Sequence, residues 1–161
     1  MKAITKIMVA CDLSKYSKET LEYAAHLAEK LQAELIIVNV INQRDIDIIL
    51  KVAEGQFDRS IETYVEKSAE EYVKRVKEER TREIEKLIKA TSPENLSVKK
   101  IFKTGVPFQE LIRAVEEEEP NIMVMGRKGR SDLAGVLFGP VAEKMFRCCP
   151  VPLLSVRPEN K

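Results

Sequence analysis

The chain has no tryptophan, a single histidine and three cysteines, and aromatic residues make up only 6% of its 161 positions. One histidine and three scattered cysteines argue against a zinc site. An odd cysteine count without framework spacing argues against a disulfide scaffold, leaving Cys11, Cys148 and Cys149 to read as small buried apolar side chains. No apolar run approaches the roughly 20 residues needed to cross a bilayer. Charge of either sign is almost cancelled, at a net +1. That balance supports neither a nucleic-acid nor a membrane partner. Met1 to Ala10 carries no signal-peptide pattern and reads as a strand, so the cytoplasm is the expected location. What is present is a 44% hydrophobic, 33% charged composition, enough for one domain spanning 1–161 with a sizeable core.

Hydrophobic periodicity divides the chain into alternating strands and helices. Ile4 to Ala10 is a strand, and Cys11 to Ser17 a loop carrying Asp12, Ser14 and Ser17. Lys18 to Leu31 has Leu21, Ala24, Ala25, Ala28 and Leu31 on one helical face, with His26 outside it. Leu35 to Ile41 is β-branched and apolar throughout except at Asn39, as for a strand buried on both faces. A helical insert is expected at about 42–93. Within it, Asn42 to Asp47 reads as loop and Gln56 to Lys89 as a long charged helix, striped by Ile61, Tyr64, Val65, Tyr72, Val76, Ile84, Leu87 and Ile88. Its charges, among them Glu78, Glu79, Arg80 and Arg82, read as a solvated face. Leu96 to Lys103 is a strand, Thr104-Gly105 a turn, and Val106-Pro107 the start of another helix. The acidic run Glu116 to Glu119 opposes the dipole at that helix's end and predicts fraying there. Asn121 to Met125 is a strand, Pro140 to Cys148 a helix with proline at its tolerated first position, and Val151 to Val156 a last strand. This alternation predicts an α/β fold with a parallel sheet covered on both faces. Ligands of such sheets lie beyond the C-terminal strand ends, where Asp12, Val40 and Gly126 all fall.

The sharpest local pattern is Met125-Gly126-Arg127-Lys128-Gly129-Arg130-Ser131 with Gly139-Pro140-Val141, a Gly-x2-Gly-x9-Gly spacing between a strand and a helix. Such a junction gathers backbone N–H groups and a helix dipole at one point, as an anion requires. Arg127, Lys128 and Arg130 add positive charge. The pattern is neither a Walker loop nor a dinucleotide Gly-x-Gly-x-x-Gly. A tight turn with close helix packing would also explain the glycines. Pro140 argues against phosphate, since it has neither N–H nor hydroxyl.

The chain resembles the universal stress protein family over nearly all its length. The resemblance is carried by Ile7-Met8-Val9-Ala10-Cys11-Asp12-Leu13-Ser14, the helix Leu21 to Leu31, Ile36 to Ile41, Gly105-Val106-Pro107 and Cys149-Pro150-Val151-Pro152. Its most specific part is Met125-Gly126-Arg127-Lys128-Gly129 followed by Gly139. It implies a three-layer α/β/α fold, Rossmann-like, with a five-stranded parallel sheet of order 3-2-1-4-5. It also implies homodimers paired through the last strand, here Pro152 to Val156. One branch of the family binds ATP and the other does not. In the binding branch, the position matching Asp12, next to Cys11, holds ribose or phosphate. The backbone matching Val40 meets adenine, with Ala10 nearby. The segment matching Gly126 to Gly129 wraps sugar and phosphates, and the one matching Gly139 to Val141 donates to phosphate. Binders usually carry Ser or Thr where this chain has Pro140. Two readings therefore stay open. One is a dimeric regulatory module holding ATP, ADP or AMP, with magnesium arriving on the phosphates. The other is a member without nucleotide that acts through a protein partner. A slow ATPase is a third reading, and no nucleophile-base pair supports it.

Overall fold

The computed structural model describes residues 3–54, 62–129 and 137–157. Five strands form one parallel sheet: β1 (Lys6–Ala10), β2 (Glu34–Asn42), β3 (Val98–Gly105), β4 (Ile122–Gly126) and β5 (Leu153–Val156). Their order is β3-β2-β1-β4-β5, as expected. The chain leaves the sheet after β1 on one side and after β4 on the other, so the order reverses beside β1. Among the described residues, five helices connect the strands: α1 (Ser17–Leu31), α2 (Gln43–Glu54), α3 (Glu62–Thr91), α4 (Pro107–Glu118) and α5 (Pro140–Cys148).

Strand alternation builds two cores. Ile7, Val9, Leu35 and Ile37 face α1 and α3, meeting Leu21, Ala24, Ala25, Ala28 and Ile84. Met8, Ile36, Val38 and Met123 face α4 and α5, meeting Leu111, Ala114, Val115, Ala142 and Met145. β1 and β2 are apolar at nearly every position because neither face of the inner sheet reaches water. The small residues along α1 let it lie close to the strands; its outer face carries the exposed His26. No helix among the described residues is long and apolar enough to cross a membrane.

Four local expectations are corrected. Residues 43–47 are helical: Asn42 caps α2, its Oδ1 accepting the Arg44 N–H at 3.1 Å, and Asp45 sits favourably in the first turn. The end of α4 does not fray as the acidic run predicts. Lys6 Nζ donates to the Glu118 carbonyl at 2.9 Å, and Lys99 and Lys103 pair with Glu118 and Glu117. Cations from β1 and β3 thus supply what the helix's own last turn lacks. Cys148 is exposed, whereas Cys11 is buried and Cys149 half-buried. β3 also runs on through Thr104 and Gly105, two residues past the expected strand end at Lys103. Of the long helix, the described part begins at Glu62, and 55–61 lie outside the described residues.

Candidate functional site

β1 ends one residue before Cys11, whose N–H still reaches the Val38 carbonyl at 2.9 Å. Leu13 then adopts φ 59°, a left-handed conformation that costs a branched residue about 1–2 kcal/mol. The turn is held by Asp12, whose Oδ1 accepts the Ser14 N–H at 3.0 Å and the Ser17 hydroxyl at 2.9 Å. α1 closes its own first turn, with the Thr20 N–H and hydroxyl both directed at the Tyr16 carbonyl. The Tyr16 side chain does not cap α1, and the Ser17 N–H at the helix start donates to the Ser14 carbonyl at 2.9 Å.

The glycine loop leaves β4 and folds over Asp12. A Cβ on Gly129 would stand 2.5 Å from Asp12 Oδ2, closer than real contacts allow. A Cβ on Gly126 would stand 3.0 Å from the Lys128 carbonyl and 3.1 Å from Thr20 Oγ1. These two positions are glycine because the loop lies directly on the carboxylate and the first turn of α1. Arg127 ties the loop at both ends: its N–H donates to the Val156 carbonyl and its carbonyl accepts the Gly139 N–H, each at 3.0 Å.

α5 begins at the far side of this loop with Gly139 as N-cap and Pro140 in its first turn. Gly139 has no side chain with which to cap it. The Gly139 carbonyl accepts the Glu143 N–H, which leaves Val141 and Ala142 as the next backbone donors after proline. Both line the cleft. Pro140 thus removes one N–H and a hydroxyl from the helix start but leaves two donors there.

These pieces enclose a cleft of about 510 Å³ at the C-terminal ends of β1, β2 and β4, within the size usual for a small-molecule site. Of the residues singled out from sequence, Ala10, Cys11, Asp12, Val40, Met125, Gly126, Arg127, Lys128, Gly129, Gly139, Pro140 and Val141 all line it. Arg130 and Ser131 lie outside the described residues. The walls are sorted by chemistry. Val38, Val40, Leu111 and Met125 form an apolar side, while Asp12, Arg127, Lys128 and the α5 N-terminus form a polar one. Arg127 Nε is buried and has no hydrogen-bond partner among the described residues, a donor that costs free energy unless an acceptor joins it. Burial pushes the Cys11 thiol above its ordinary pKa, against weaker opposing hydrogen bonds at Leu13 and Ser17. The thiol packs among the buried apolar groups of the core, and its desolvation disfavours the thiolate.

Sequence reasoning missed two contributors. Tyr16, Ser17 and Thr20 line the cleft from the first turn of α1; their spacing from Asp12 was the available signal. Asn42, Arg44 and Asp45 line it from the start of α2. Asn42 followed by an acid in the next turn is a helix-start pattern that would have found them.

The comparisons with known proteins agree with this geometry. A family model described as the universal stress protein family matches residues 3–157. Universal stress protein MJ0577 of Methanocaldococcus jannaschii is 26% identical over 159 residues, covering 96% of each chain. Universal stress protein YxiE of Bacillus subtilis is 28% identical over 157 residues, covering 94% of this chain and 98% of its own. Among solved structures, MJ0577 superposes with a TM-score of 0.78 at 24% identity, covering 99% of this chain and all of that one. UspA from Lactobacillus plantarum superposes at 0.71 with 16% identity, covering 98% and 100%. A universal stress protein in complex with cAMP superposes at 0.59 with 19% identity, covering 97% and 98%. With the family model matched over residues 3–157, nearly the whole chain, this protein belongs to the universal stress protein family.

Proposed function

We propose that this protein is a regulatory module that binds an adenine nucleotide in the cleft, as a cytoplasmic homodimer, without turning it over. The observation that carries the reading is the polar end of the cleft. There the buried Nε of Arg127, without a hydrogen-bond partner among the described residues, and the start of α5, whose N-cap is a glycine, border a loop that is tight at Gly126 and has no room for a side chain at Gly129. A phosphate group supplies the acceptor Arg127 lacks and the anion that the helix start favours. The apolar side, with Val38, Val40 and Met125, suits the faces of a purine. The cAMP complex of a protein with the same fold supports an adenine nucleotide as the ligand class.

In this reading Asp12 holds the ribose side and the Val40 backbone the base. Gly126 to Gly129 wrap the sugar and first phosphate, and Val141 and Ala142 donate to phosphate. A divalent cation such as magnesium would come with the phosphates of ATP. Pro140 shortens the donor set where further phosphates extend, which favours AMP or ADP over ATP. It also supports the second reading, a family member that works through a protein partner without nucleotide. Dimerisation is assigned to the edge strand β5, where Leu154 is 39% exposed.

The test is to heat-denature freshly purified protein, analyse the supernatant for released nucleotide, and titrate emptied protein with AMP, ADP and ATP by calorimetry. Released adenine nucleotide or micromolar binding supports the proposal. Empty protein with no heat from any of the three moves it to the non-nucleotide reading.

A further inference from the structure

Beyond Cys11, β1 no longer accompanies β2. The register ends at Ala10 opposite Val38, yet β2 continues to Asn42. In a parallel ladder alternate residues point their backbone groups to opposite sides. Glu34 and Val38 bond toward β1, and Leu35 bonds toward β3. Val40 therefore turns its carbonyl to the side that β1 has vacated. This gap separates the Val40 wall of the cleft from the Cys11-Asp12 wall.

One side chain from outside the cleft fills it. Arg80, on α3, donates from Nη1 to the Val40 carbonyl at 3.0 Å and to Asn39 Oδ1 at 2.8 Å. Asn39 is fully buried, and its Nδ2 donates to the Cys11 carbonyl at 2.7 Å. One guanidinium nitrogen thus fixes Val40 directly and Cys11 through one amide, 41 residues away in sequence from Asn39. Sequence reading placed Arg80 on a solvated face with Glu78, Glu79 and Arg82, and that is corrected here. Arg80 is not among the residues lining the cleft.

We propose that Arg80 is a positioning residue for this cleft, setting the spacing between its Val40 wall and its Cys11-Asp12 wall from a helix that touches no ligand. The proposal rests on reading the cleft as a nucleotide site. A bound nucleoside spans both walls, so their separation must match it. Without the guanidinium, the Val40 carbonyl and the buried Asn39 Oδ1 lose their donor together. The coupling is reciprocal: a ligand that needs the walls held must in turn tighten Arg80 and α3.

The test is calorimetric titration of the full chain with AMP. Arg80→Met is expected to weaken AMP binding by about ten-fold to a hundred-fold, the usual effect of losing a charge-assisted hydrogen bond. Arg80→Lys, which restores a cationic donor, is expected to recover most of that loss. Ile84→Val, one turn on in the same helix and buried in the core, serves as the control. It loosens α3 without touching Val40 or Asn39, and AMP affinity should stay within about two-fold of wild type. Wild-type affinity in Arg80→Met, or an equal loss in Ile84→Val, overturns the proposal. If Arg80→Met does not fold, hydrogen exchange on the wild-type protein decides. AMP should slow exchange in α3 around Arg80 as well as in the glycine loop. Protection of the loop alone overturns this inference and leaves the nucleotide reading standing. Absence of both protection and heat overturns the nucleotide reading, and this inference with it.

Discussion

Gly129→Ala is expected to weaken AMP and ATP binding by about ten-fold to a hundred-fold, and the structure indicates why so small a change suffices. The added Cβ would stand 2.5 Å from Asp12 Oδ2, about 0.9 Å inside the 3.4 Å at which ordinary contact begins. The carboxylate cannot yield freely. Its other oxygen accepts the Ser14 N–H at 3.0 Å and the buried Ser17 hydroxyl at 2.9 Å. A shift near 0.9 Å takes either bond beyond useful length. Hydrogen bonds to a charged group contribute roughly 1.5–3 kcal/mol, and about 1.4 kcal/mol is a factor of ten in affinity. If the loop opens instead, the ligand must close it again at similar cost. Gly139→Ala is the comparison, because its Cβ would meet the Arg127 carbonyl at 3.8 Å and the Gly129 nitrogen at 3.9 Å, ordinary contacts. Calorimetry measures the affinities and thermal unfolding the stabilities. Folded Gly129→Ala protein with affinity within two-fold of wild type would refute the reasoning. So would a Gly139→Ala variant whose Tm falls as far as that of Gly129→Ala.

Pro140→Ser should strengthen ATP binding by about ten-fold, and AMP binding less, because a hydroxyl and an N–H return to the start of α5; calorimetry with an unchanged or lower ATP affinity refutes this. Leu21→Ala, at a fully buried position between α1 and the sheet, should cost about 3 kcal/mol in urea unfolding. A loss below about 1 kcal/mol would mean the helix does not pack as described. Alkylation by iodoacetamide at pH 8, read by mass spectrometry, should modify exposed Cys148 first and leave Cys11 until the protein unfolds. Because burial raises the Cys11 pKa, its thiol stays neutral in the fold while the unfolded thiol ionises. Its contribution to stability is therefore intact below the ordinary value of 9.0 and lost as pH rises above it. Cys11→Ala should flatten the alkaline fall in stability, and an identical pH profile would contradict that.

β1, β2 and β4 were legible as short apolar runs, β2 most clearly through its β-branched residues, whereas β3 carries three lysines and gives a weaker signal. Strand order was not written in the periodicity; it came with the family resemblance, and pairing of β1 with β4 depends on contacts far apart in sequence. α2 was missed because Asn42 and Gln43 suggest a loop until Asn42 is recognised as a cap. Asp12 and the glycines were legible as a group, yet why Gly129 must be glycine became clear only when the Asp12 carboxylate was found beneath it. Arg80 was the hardest case. In sequence it is one charge among Glu78, Glu79 and Arg82, and only the docking of α3 on β2 separates it from them.

The place of β1 at the centre of the sheet has a consequence for how the chain is made. One neighbour, β2, follows within the same stretch of chain, but the Asn121 side chain that receives the Lys6 N–H comes 115 residues later. At ordinary rates of synthesis, roughly 5–20 residues per second, β1 keeps an unpaired edge for about 6–23 s. Its residues Ile7, Met8 and Val9 are all completely buried in the finished fold. A nascent chain that stalls before β4 therefore offers a hydrophobic strand with an open edge, the kind of surface on which aggregation starts and which chaperones cover. The strand that anchors the finished molecule is, during its birth, its most vulnerable part.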